Sequence, residues 1–311
     1  MVQSGDGGKV VVITGANAGI GFATALGLAR QGAEICMVCR SADRGNAAMT
    51  AVAEVATTPP ALFVADLSSQ ASICELAATL HQQLSRIDVL INNAGAAFAR
   101  REFTADGIEK TFAVNHLAPF LLTSSVLDLI RRSSNGRIVN VTAGIPVRRS
   151  SFLDNLQGEK HYSQFGAYRT SKVSNILFTY ELARRLQGTG ITVNCAHPGP
   201  VRTEFTQKAG GFLLRMSKIL HPIMRSPEVG ARTPIYLAID PEVASVTGGY
   251  FVNSKQRKST GITYDRMIAE KLWEISERLT SSNRRPLPKP LHQVAASKAA
   301  PRAPLSADHQ N

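Results

Sequence analysis

The chain has 311 residues, of which 44% are hydrophobic and 19% charged, with a formal net charge of +12. That much apolar material buries one substantial core, and the positive excess forms no basic stripe interleaved with aromatics, which sets nucleic acid aside as a partner. Residues 284–311 supply +4 of the charge. From Ser282 onward the composition turns to Pro-Leu-Pro-Lys-Pro and then Ala, Ser and Lys, so one domain is expected over 1–282 and a disordered tail over 283–311.

Residues 1–8 show no basic-then-apolar leader, and no uninterrupted apolar run approaches the roughly 18 residues that cross a bilayer. The expectation is a cytoplasmic protein. A strand over Lys9–Thr14 runs into Gly15-Ala16-Asn17-Ala18-Gly19-Ile20-Gly21, which opens a helix over Ala18–Gln31. Glycines in that strand–turn–helix context let the backbone turn sharply and approach a pyrophosphate. The helix N-terminus attracts its charge. Gly15, Asn17, Gly19, Ile20 and Gly21 are therefore candidate cofactor contacts.

A second strand, Ile35–Cys39, ends 18 to 19 residues beyond Gly21 in Cys39-Arg40, where an NAD site would place a carboxylate for the ribose 2′-hydroxyl. Arginine pairs instead with a 2′-phosphate, so Arg40, with Arg44 in the following turn, points to NADP(H). Cys36 and Cys39 lie three apart on this strand and face opposite sides, which argues against a shared metal or redox pair. With Cys74 and Cys195 they read as reduced thiols, and the seven scattered histidines form no His-Glu-x-x-His pattern; no metal is expected.

Strands over Ala61–Val64 and Val89–Asn92 follow, separated by a helix over Ala71–Leu84. Their C-terminal loops, Asp66-Leu67 and Asn93-Ala94-Gly95, lie where ligands bind in open α/β sheets. Asp66 is expected at the adenine edge, as the cap of the next helix, or in both roles at once if the adenine contact uses the backbone. A helix over Phe112–Arg131, a strand over Ile138–Val141, a helix over Ala167–Gln187 and a strand over Thr192–Ala196 complete the alternation. Continuous apolar strands between helices predict a doubly wound parallel sheet covered on both faces, a Rossmann-type α/β fold.

Tyr168 and Lys172 stand four apart in the Ala167–Gln187 helix and share a face. A free phenol titrates near 10, too high for acid–base work near neutrality, and a neighbouring ammonium is expected to lower that value.

These motifs, with Asn115 and Pro198-Gly199-Pro200-Val201-Arg202-Thr203, make the chain resemble the short-chain dehydrogenase/reductase superfamily from residue 9 to about 280. It is most similar to the retinol-dehydrogenase-like branch, through Asn115-His-Leu-Ala-Pro-Phe-Leu-Leu-Thr123, Asn155-Leu-Gln-Gly-Glu-Lys160 and Asn175-Ile-Leu-Phe-Thr-Tyr-Glu-Leu-Ala-Arg184. The resemblance implies that Tyr168 protonates a carbonyl oxygen, Lys172 holds the nicotinamide ribose and tunes Tyr168, and Asn115 supports a water relay behind Lys172. It implies that Pro198, Gly199, Val201 and Thr203 cradle the nicotinamide, with His197 a packed turn residue. It also implies a homo-oligomer.

One position departs from the pattern. The family places a serine near the end of the fifth strand, but Ile138-Val-Asn-Val141 is followed here by Thr142-Ala143, with Ala143 at the serine position. Three readings stand: Thr142 serves from an irregular strand end, another hydroxyl substitutes, or the chain binds cofactor and turns over poorly as a scaffold or regulator. Loss of one such donor typically costs about two to three orders of magnitude in rate. In the family that the chain resembles, the segment after the Pro-Gly loop covers the substrate, so the resemblance, with the mixed apolar and basic side chains of residues 205–227, implies a lipophilic alcohol, aldehyde or ketone substrate. The stretch 212–225 reads either as a peripheral membrane contact or, in part, as ordinary core helix.

Overall fold

The structure is a computed structural model that describes residues 8–147, 152–202 and 224–280. Thr203, residues 212–223 of the basic–apolar stretch and the tail from 283 lie outside the described residues.

Six strands fall where β-branched runs predict them: β1 (Val10–Thr14), β2 (Glu34–Cys39), β3 (Ala61–Val64), β4 (Val89–Asn92), β5 (Arg137–Val141) and β6 (Thr192–His197). Two short additions follow, β7 (Tyr250–Val252) and β8 (Lys255–Gln256). The sheet order is β3-β2-β1-β4-β5-β6-β7-β8. All pairings are parallel except β7–β8. This is the doubly wound Rossmann-type fold that the alternation predicts, with its order reversing between β1 and β4, where such sheets open a ligand crevice.

Helices α1 (Gly19–Ala29), α2 (Ala42–Ala53) and α6 (Pro227–Ile239) cover one face, and α3 (Gln70–Gln83), α4 (Lys110–Arg131), α5 (Gln164–Arg185) and α7 (Arg266–Thr280) are associated with the other. Strand residues alternate between two apolar layers. Val10, Val12, Cys36 and Val38 join Leu80, Phe120, Phe178 and Trp273 on one side, while Val11, Ile13, Met37 and Cys39 join Leu28, Val52 and Leu237 on the other. Cys36 and Cys39 thus sit on opposite faces. Helix α4 is apolar and long enough to cross a bilayer, but 89% of its apolar window is buried, which makes it a core helix.

Two helices carry distinctive local features. Helix α4 contains a π-helical turn at Ala113–Leu117, a form often found at functional positions. Helix α7 lays Trp273 against Phe120, with ring centroids 5.0 Å apart in an edge-on arrangement. The Arg185 guanidinium stands 3.9 Å from the Trp273 ring centre, a cation–π contact that covers the indole face.

Candidate active site

The crevice is built first by backbone. Gly15 (φ +68°) and Gly19 (φ +55°) adopt left-handed conformations, which glycine enters without steric cost. A β-carbon at Gly15 would lie 3.0 Å from Ala94 Cα, and one at Gly21 would overlap the Gly15 carbonyl and the Asn93 amide. Ala18 precedes α1 and offers no side-chain cap, and the first turn holds no acidic residue. The first N–H groups of α1 therefore lack a local anionic competitor, which suits a phosphate. Ile20 stands in this same first turn, half-buried, as does Asn17 in the loop.

Side chains beneath the loop hold that shape. Asn93 Nδ2 donates to the Thr14 carbonyl at 2.8 Å and the Gly15 carbonyl at 3.3 Å, while Thr14 Oγ1 accepts from the N–H groups of Asn93 and Ala94, both at 3.0 Å. The Asn93 side chain thus braces the glycine loop. The Cys39 sulfur takes backbone hydrogen bonds from Ala16 and Asn17, and burial pushes its thiol up to about 11. Neither Thr14 nor Cys39 was singled out for this role in the sequence, since the contacts cross between strands.

At the end of β2, Arg40 is exposed. Arg44 is also exposed, but it lies in the first turn of α2 rather than in a loop, because Ser41 caps that helix by accepting from the Arg44 N–H. Asp66 does not cap the next helix: Ser69 does, accepting from Ser72 N–H, while Asp66 Oδ1 takes the Ser68 N–H at 2.9 Å and its hydroxyl at 2.8 Å. Leu67 follows, half-buried.

The second cluster centres on α5, whose first turn is capped by Ser163. Lys172 Nζ donates to the Val141 carbonyl at 3.0 Å and stands 5.9 Å from the Tyr168 ring centre. Burial pulls Lys172 down to about 8 and pushes Tyr168 up to about 12. The expected depression of the Tyr168 pKa by Lys172 is therefore corrected: the ammonium is turned to a carbonyl, and burial dominates the phenol.

Asn115 sits in the π-helical turn, fully buried. Its Oδ1 accepts from Ala96 N–H at 2.7 Å, and its Nδ2 donates to the Ala96 carbonyl and to Ser171 Oγ, both at 2.9 Å. Asn175 Nδ2 donates to the Asn115 carbonyl at 2.7 Å. The loop after β4 is thereby fastened to α5. Gly95 lies between these groups, where a β-carbon would stand 3.4 Å from Asn115 Oδ1 and 3.5 Å from Lys172 Nζ.

The Pro198-Gly199 loop closes the far end. Gly199 takes φ +78°, and Val201 is buried. Val201 and Ile20 meet over Gly230 of α6, where a β-carbon would lie 2.7 Å from Val201 Cγ2 and 3.2 Å from Ile20 Cγ1. The glycine loop and the Pro-Gly loop thus converge on one helix.

Thr142 does not take the serine's place in this geometry. The strand ladder continues through its N–H, which donates to the Ala196 carbonyl at 2.9 Å, and its hydroxyl donates to the Lys172 carbonyl at 2.7 Å. Its side chain is spent on fixing β5 to α5. Ala143 brings no hydroxyl, and the next residue, Gly144, donates its N–H to His197 Nδ1 at 3.1 Å.

Residues 9–211 match the sequence pattern of the family described as short chain dehydrogenase. The chain belongs to that family. Among curated proteins, this short-chain dehydrogenase is 40% identical to human retinol dehydrogenase 13 over 91% of the chain and 89% of that protein. It is 39% identical to human retinol dehydrogenase 14, over 87% and 85% respectively. Among solved structures it is similar to an uncharacterized protein from Mycobacterium paratuberculosis, 31% identical with a TM-score of 0.71, covering 90% of this chain and 95% of that one. A complex of Pseudomonas aeruginosa RhlG with NADP in its active site is 26% identical with a TM-score of 0.64, covering 81% and 96%. The chain is a retinol-dehydrogenase-like oxidoreductase whose family uses a nicotinamide dinucleotide, NAD(P)(H).

Proposed function

We propose that this short-chain dehydrogenase prefers NADP(H) and moves a hydride between the nicotinamide and a lipophilic alcohol, aldehyde or ketone. The observation that carries the reading is the convergence of Tyr168, Lys172, Asn115 and Gly95 at the C-terminal ends of β4 and β5, beside a glycine cradle with an uncapped helix N-terminus. The bound dinucleotide supplies the hydride. Gly15, Gly19 and Gly21 admit its pyrophosphate to the α1 N-terminus, Asn93 holds their loop, and Ala94 and Gly95 give it a flat floor. Arg40 and Arg44 supply the positive charge that favours a 2′-phosphate, and Asp66 and Leu67 border the adenine.

In reduction, Tyr168 gives its phenolic proton to the carbonyl oxygen as the carbon receives the hydride. Burial keeps the phenol protonated, the form this step needs. Lys172 holds the ribose and replenishes the phenolate's counter-charge, and Asn115 fixes the loop that carries Gly95. The names of the retinol dehydrogenase relatives support a lipophilic substrate. The test is NADPH oxidation with a medium-chain aldehyde: Tyr168→Phe should lower kcat about 100-fold or more while leaving the NADPH dissociation constant unchanged. Retention of full turnover by Tyr168→Phe refutes the assignment.

A second reading follows from Thr142 and Ala143. With one hydroxyl committed to the Lys172 carbonyl and the other absent, the site could bind dinucleotide and turn over weakly. Tight NADPH binding without turnover on a broad carbonyl panel would favour that reading.

A further inference from the structure

The turn that follows the serine position is bordered by two polar side chains. A β-carbon built at Gly144, the residue after Ala143, would lie 2.5 Å from the Tyr250 hydroxyl and 3.9 Å from His197 Cε1. Tyr250 comes from β7, whose register pairs it with Cys195 of β6, itself paired with Asn140 of β5. Its ring packs with Ile176, Tyr180 and Cys195, so that it is 4% exposed. His197 lies over it with ring centroids 6.0 Å apart. His197 in turn receives the Gly144 N–H. The turn after β5 is thus held by an imidazole whose other neighbour is this phenol.

The Tyr250 hydroxyl makes no hydrogen bond to any described residue, in contrast to Tyr162, whose hydroxyl donates to the Phe98 carbonyl at 2.7 Å, and Tyr180, bonded to Ser259 Oγ at 2.8 Å. The Tyr250 oxygen is not among the described side-chain atoms sealed from solvent without a partner, so it stays open to an incoming acceptor. The missing Cβ of Gly144 is what lets it come so close to the turn.

We propose that the Tyr250 hydroxyl takes the place of the absent serine hydroxyl, donating a hydrogen bond to the substrate oxygen while Tyr168 transfers its proton there. The inference rests on the oxidoreductase reading above. No bond to Tyr250 forms or breaks: the carbonyl carbon gains the hydride, its oxygen gains the Tyr168 proton, and Tyr250 keeps its own. Burial raises the pKa of this phenol, which suits a group that donates without ionising. A donor aimed at developing negative charge stabilises the transition state more than the ground state.

The experiment compares the full chain with Tyr250→Phe, Ala143→Ser and the double variant, using NADPH with a medium-chain aldehyde and, separately, calorimetric binding of a fatty carboxamide, a carbonyl analogue that accepts no hydride. Tyr250→Phe should lower kcat about 30- to 100-fold and weaken the carboxamide about tenfold, with the NADPH dissociation constant unchanged as the control for folding. Ala143→Ser should restore most of that kcat in the Tyr250→Phe background and change the parent less than about threefold. Tyr250→Phe within about twofold of the parent in both measurements overturns the inference. So does a parent that binds NADPH but turns over only after Ala143→Ser, which would leave the oxidoreductase reading intact. Failure of that reading appears separately, as turnover indifferent to Tyr168→Phe.

Discussion

Burial acts on Tyr168 and Lys172 in opposite senses, raising the acid and lowering the base, because water solvates each charged form better than the protein does. With Lys172 near 8, its ammonium is lost as pH rises through that value. The rate of aldehyde reduction should fall above about pH 8, and Lys172→Met should remove this limb while slowing the reaction about 100-fold at pH 7. A rate profile flat from pH 7 to 9.5 in the parent would contradict the role given to Lys172. At the other end of the crevice, Arg40→Asp should shift the kcat/KM preference from NADPH towards NADH by about tenfold or more; unchanged selectivity would remove Arg40 from the 2′-phosphate site. The placement of Tyr168 beside Lys172 was legible because residues four apart on a helix share a face. The protonation states were not, since Lys172 meets Val141, and Thr142 meets Lys172, across a strand–helix contact that no spacing encodes.

Among the elements, the six strands that build the parallel sheet were readable from β-branched runs. Those missed have physical reasons. Helix α2 is rich in alanine and buries only Gly45, Ala48 and Val52, so its apolar stripe is faint. Helix α6 begins at Pro227 and contains Pro234, which obscures its periodicity. Strand β7 is three residues long after Gly248-Gly249. Its contribution to the site, Tyr250 beside Gly144, joins segments far apart in the chain. Helix α7 does carry a period, with Ile268, Ala269, Leu272, Trp273 and Ser276 buried along one side. Trp273→Ala should destabilise the protein by about 3–5 kcal/mol, read from urea unfolding; a loss under about 1 kcal/mol would mean that α7 contributes little to the core.

Across the whole molecule, the crevice draws on segments far apart in the chain, since Ile20 of α1 and Val201 of the Pro-Gly loop both pack over Gly230 of α6. A dinucleotide spanning these parts binds the folded chain alone. At about 100 times its dissociation constant, NADPH should raise the unfolding free energy by about 2.7 kcal/mol, seen as a higher Tm. No shift at saturating NADPH would place the cofactor elsewhere.

The packing of Trp273 on Phe120 and Phe178 also imposes an order of events during synthesis. Helix α7 is the last described element to leave the ribosome, so the aromatic seam between α4 and α5 waits uncovered until residues 266–280 have emerged. Nascent chains stopped before Arg266 should expose that seam and recruit chaperones, and a sheet already paired would still be unsafe from aggregation until its final helix docks.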